Sequence, residues 1–75
     1  MSGTQASACY EIRVDGVLEA GWSAWFDGLR VTGDDRLGQT VIAGPVADQA
    51  ALHGLLAKVR DLGLTLIAVQ RMPPE

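Results

Sequence analysis

The chain has 75 residues, 48% of them hydrophobic, with six Lys+Arg against nine Asp+Glu for a net charge of -3, one Cys and one His. A chain this short buries only about 60% of the surface that its unfolded form exposes, so it allows one small domain and excludes a second. One cysteine cannot close an internal disulfide, no Cys/His cluster suits structural zinc, and the acidic balance argues against a surface that tracks nucleic-acid phosphates.

Residues 1–8 are small and polar, with no basic stretch leading into an apolar one, so they read as a tail and not as a secretory signal. Tyr10, Ile12 and Val14 then alternate with Glu11, Arg13 and Asp15, the period of two expected of a strand with one buried face. Trp22, Trp25, Phe26 and Leu29 follow at i, i+3, i+4 and i+7, which predicts a short helix over 19–27 closed by Gly28. Alternation resumes over Leu29–Thr32 as a second strand, Gly33–Gly38 supplies turn residues, and Gln39–Ala43 reads as a third strand that Gly44-Pro45 should break.

Asp48 is placed to cap a helix running to about Leu62, with an apolar stripe of Leu52, Leu55, Leu56, Val59 and Leu62. Gly63 provides a left-handed stop, and Leu64–Gln70 forms a fourth strand before Pro73-Pro74 ends regular structure. The order βαββαβ predicts an α+β fold of the ferredoxin-like kind, a four-stranded antiparallel sheet with two helices on one face. The expected domain spans residues 9–72, with residues 73–75 as a second tail. Its core should bring Leu52, Leu55, Leu56 and Val59 onto Tyr10, Ile12, Val14 and Leu66.

The segment Gly44-Pro45-Val46-Ala47-Asp48-Gln49-Ala50-Ala51-Leu52-His53-Gly54-Leu55-Leu56, followed by Arg60-Asp61-Leu62-Gly63-Leu64, resembles a family of short uncharacterised bacterial proteins. Trp22, Trp25, Phe26 and Gly28 are similar to its aromatic segment. The resemblance spans most of residues 10–70 and implies no activity and no catalytic residues, so function must be argued from the side chains.

His53 is the one side chain whose ordinary pKa lies near neutrality, yet it falls off the leucine stripe with no carboxylate beside it in sequence to orient it. It reads as a surface or interface histidine. Cys9 has no cationic neighbour to activate it and reads as an inert thiol. Trp22 and Trp25 offer either core packing or an aromatic hot spot, with core the expectation for most of that set. Asp34-Asp35 lacks calcium-loop spacing, and the phosphate-loop, dinucleotide, zinc-protease and Cys-x-x-Cys signatures are absent, so neither a metal nor a cofactor is expected. RNA binding of the kind seen in domains with this element order is disfavoured by Glu11 and Arg13 on strand one.

These readings leave two hypotheses. The first is a non-catalytic, self-associating domain that binds another protein, or a small apolar ligand between subunits. The alternative is a small dimeric enzyme with an apolar pocket in which His53 or Tyr10 acts. A homodimer is expected because Leu64, Leu66, Ile67, Ala68 and Val69 make strand four apolar on both faces, with Ile67 and Val69 expected on the open face of the sheet or near an edge. No uncharged apolar run approaches the roughly 20 residues that cross a bilayer. The lone thiol suits a reducing interior, so a cytoplasmic location is expected.

Overall fold

The computed structural model describes residues 8–72, and the alternation of Tyr10, Ile12 and Val14 sets its central strand. Strand β1 (Ala8–Asp15) pairs antiparallel with both β3 (Gln39–Val46) and β4 (Leu66–Arg71), while β2 (Arg30–Asp34) joins the far side of β3. The sheet order is therefore β2-β3-β1-β4, all antiparallel, with β2 and β4 as its edges. Ala8 already pairs with Val46, one residue into the stretch expected to be tail. The other tail residues lie outside those described.

Helix α1 (Gln49–Asp61) follows its local signals closely. The Asp48 carboxylate accepts the Ala51 N–H at 2.8 Å, satisfying one orphan amide of the first turn. At the other end Gly63 is left-handed at φ 74°, its N–H donates to the Arg60 carbonyl, and the Leu64 N–H donates back to Val59. That pair of bonds closes the last turn as a Schellman stop.

The first crossover is different from the expected helix over 19–27. Only Ala20–Ala24 coils, as a 3₁₀ turn, so the two-helix layer of the ferredoxin-like plait is reduced to α1 and this turn. The physical reason is local. Nine residues rich in aromatics, with Gly21 and Ser23, carry too little helix propensity to nucleate alone, and the Ser23 hydroxyl instead donates to the Leu29 carbonyl at 2.6 Å. Asp27 and Gly28 then take successive positive φ values of 59° and 82°, which a helix cannot continue. Phe26 and Leu29 reach the core, but Trp22 and Trp25 do not, contrary to the expectation of core packing for that set.

A second correction concerns Gly44-Pro45, which do not break β3. The Met72 N–H donates to the Cys9 carbonyl at 2.8 Å, so Cys9 directs its backbone groups at β4. By alternation Pro45, opposite Cys9, directs its nitrogen away from β1, and β2 has ended by then, so no ladder bond is missed. Gly44 is required for another reason: a Cβ there would lie 2.6 Å from Leu29 Cδ2, so the crossover packs directly onto bare backbone.

The core joins Ile12, Val14, Val31, Ile42 and Val46 of the sheet to Leu52, Leu55 and Val59 of α1, with Phe26 and Leu29 filling the side under the crossover. Tyr10 and Leu56 are only partly buried against it, and Leu66, expected inside, is exposed. Among the described residues one polar side chain, that of Thr40, is fully buried. The Thr40 hydroxyl donates to the Gly16 carbonyl at 2.6 Å and accepts the Leu18 N–H at 2.8 Å, tying the start of the crossover to β3. Thr40→Val should lower stability by about 1–3 kcal/mol, because it leaves a buried amide and carbonyl unpaired, and Thr40→Ser should recover most of the loss. Leu55→Ala should cost about 2–5 kcal/mol and Leu56→Ala clearly less. Urea midpoints check both, and equal effects at 55 and 56 would contradict the packing described.

Candidate functional site

Coverage of the sheet decides which surface is available. Four strands present a face roughly 19 Å wide, whereas one helix with its side chains is about 10–12 Å across. The backbone of α1 approaches β3, and the 3₁₀ turn approaches β2. Among the described residues the far edge, β4, is left without a cover, and every residue from Leu66 to Arg71 is exposed.

Register assigns the faces of β4. Val69 lies opposite Ile12, and Leu66 opposite Val14, so both share the helix side of the sheet. Ala68 pairs with Arg13 and Gln70 with Glu11 on the open side, and the register shift between Arg13 and Val14 leaves Ile67 as the extra residue of a bulge. Of the two places the sequence allowed, Val69 takes the edge, on the helix side of the sheet and not on its open face. Leu66, Ile67 and Val69 are 45%, 44% and 36% exposed, so this edge strand carries unshielded apolar side chains. The open face beside it is polar and internally paired: Arg13 donates to Gln39 Oε1 at 3.2 Å and lies 3.5 Å from Glu11.

Trp22 and Trp25 are 38% and 42% exposed at the opposite end of the sheet, beside β2. Lys58 of α1 holds this segment: its ammonium donates to the Trp25 carbonyl at 3.0 Å and to Asp27 Oδ1 at 2.9 Å, and sits 5.7 Å from the Trp25 ring centroid. Asp34, the other acidic candidate, accepts the Arg36 and Leu37 amides in the β2–β3 hairpin. Among the described residues no group of three or more His, Cys, Asp or Glu side chains is arranged to hold a metal ion.

Tyr10 lines a cavity of about 70 Å³ at the start of α1, together with Val46, Asp48, Gln49 and Arg71. The Gln49 amide donates to the Tyr10 hydroxyl at 3.0 Å. His53 is exposed on α1 and does not line this cavity, so the two side chains considered for catalysis do not converge in it. Arg71 and Gln49 were not singled out by sequence. Their neighbourhood depends on the β1–β4 register and on the path of the loop before α1, for which no spacing in the chain gives a cue.

A family model described as a domain of unknown function, DUF8691, matches residues 9–70. The chain belongs to this family. Comparison with curated proteins and with solved structures gives no significant match. Family membership agrees with the resemblance to an uncharacterised group, and the match covers nearly the same segment as the folded unit. Among the described residues no helix is long and apolar enough to cross a membrane.

The Lys58 contacts to Trp25 and Asp27 are solvent-facing, so Lys58→Met should lower stability by less than about 1 kcal/mol. A loss of several kcal/mol in urea titration would mean that this clasp, and not burial of Phe26 and Leu29, holds the crossover to the helix.

Proposed function

We propose that this DUF8691 domain is non-catalytic and works by association, forming a homodimer through the apolar surface around β4. The observation that carries the reading is the exposure of Leu66, Ile67 and Val69 on an edge strand that α1 is too narrow to cover. A single core of this size gains little by itself, and a second copy adds the buried apolar area that the missing first helix would have supplied. Isologous two-fold dimers are also the commonest closed assembly.

The size of the cavity supports the same choice over an enzyme. Sites for small organic ligands occupy roughly 300–1,000 Å³, and a space of about 70 Å³ beside Tyr10 accommodates no such substrate. A small apolar ligand or a partner protein would accordingly meet the domain at the subunit boundary. The exposed Cys9 thiol suits a reducing cytoplasm, where it stays free.

Light scattering at micromolar concentration tests the proposal. The wild type should have twice the chain mass, and Ile67→Lys should return a folded monomer, because an ammonium in an apolar interface is left without a partner. A monomeric wild type would reject the reading.

A further inference from the structure

Resting on the self-association proposed above, we infer how the second copy is joined: it adds to β4 edge to edge, antiparallel, about a two-fold axis through Val69, making one continuous eight-stranded sheet. The backbone supplies the first argument. The Met72 N–H bonds to Cys9, while Gln70 and Ala68 lie opposite Glu11 and Arg13 in the same ladder, so Ala68, Gln70 and Met72 aim their amide and carbonyl groups at β1. Val69 and Arg71, between them, aim theirs outward.

The two edges of the sheet are not equivalent. β2 carries Arg30 and Asp34 at its ends and lies against the crossover, where a Cβ on Gly33 would meet Val17 Cγ1 at 2.7 Å. Charges and covering chain of this kind are what blunts a sheet edge. Among the described residues β4 has neither between Leu66 and Val69. Pairing β4 with β2 of another copy would also propagate into an open fibre, whereas β4 with β4 closes on itself.

Charge placement selects the axis. With the two-fold at Val69, that residue meets its own copy and exchanges both backbone bonds with it, Ala68 meets Gln70, and the two Arg71 side chains stand at opposite ends of the joint. Arg71 is the one charge on the strand. This register sets Arg71 opposite Ile67 of the copy and keeps the apolar residues of β4 within the joint; moving the axis to Arg71 would set the two guanidiniums against each other, and moving it to Gln70 would leave Leu66 and Ile67 opposite positions beyond Arg71, where β4 ends. On the helix side, the exposed Val69 side chains come together in the gap between the two α1 helices.

The test is Val69→Pro in the full chain, measured by light scattering and far-ultraviolet circular dichroism. Proline removes an N–H that β1 does not use and holds its neighbour extended, so the monomer fold should survive while strand addition is lost. A dimeric wild type and a folded, monomeric Val69→Pro are the expected result. A folded Val69→Pro that stays dimeric overturns edge pairing and leaves self-association standing, whereas a monomeric wild type removes both. If Val69→Pro fails to fold, amide exchange in the wild type decides: Val69 and Arg71 amides should be protected in the dimer and exchange freely on dilution to monomer. Free exchange of both in the dimer overturns the inference.

Discussion

Four strands are wider than one helix, and most of this structure follows from that mismatch. A ferredoxin-like arrangement resolves it with two helices side by side. Here the first crossover carries a five-residue 3₁₀ turn, so α1 is the one long element available to cover the sheet. It sits toward β3, where Leu52, Leu55 and Val59 meet Ile12, Val14 and Ile42, and Phe26 with Leu29 completes the cover toward β2. The deficit is therefore concentrated at one edge. Leu66 and Val69 face the helix side without a helix above them.

The crossover compensates for its lack of helix with specific polar ties. Its first residues are fixed by the buried Thr40 hydroxyl, which serves Gly16 as donor and Leu18 as acceptor. Its last turn is fixed by Ser23 bonding to the Leu29 carbonyl and by Lys58 reaching across from α1. These bonds differ in weight. The threonine pair is shielded from water, so its loss would strand buried groups, while the lysine contacts are partly solvated and compete with water. Close approach does the rest: Leu29 lies on Gly44 and Val17 on Gly33, positions where a larger residue would push the crossover off the sheet.

The functional reading depends on where apolar surface and unused backbone coincide. The tryptophans are exposed, but Trp25 is already engaged by Lys58 and lies near the edge that charges protect. The Tyr10 cavity has polar groups converging on it and a volume of about 70 Å³. Among the described residues β4 combines exposed apolar side chains with outward-facing amide and carbonyl groups, the combination by which one sheet recruits another strand.

Much of the fold was legible because it depends on short-range signals. Alternation marked β1, turn residues around Asp34 marked the hairpin, and Asp48 and Gly63 bounded α1 almost to the residue. The i, i+3, i+4, i+7 stripe of the first crossover does not make a helix, because the chain leaves the 3₁₀ turn through positive φ at Asp27 and Gly28, with Phe26 and Leu29 buried and Trp22 and Trp25 exposed. Gly44-Pro45 looked like a break because the sequence does not reveal that β2 has ended beside it, which frees the proline nitrogen from any bonding duty. On strand four, alternation alone does not assign the faces. Period-two alternation puts Leu66 and Ala68 together, whereas the bulge at Ile67 shifts the parity, so that Leu66 and Val69 share the helix side. By itself, then, the sequence determined β1, the β2–β3 hairpin, α1 and the segment of β4, because capping, turn geometry and alternation act over a few neighbouring residues. Which face each β4 side chain occupies, and that its apolar residues stay uncovered, was decided only by tertiary structure, because both depend on pairing with β1 and on how far one helix reaches.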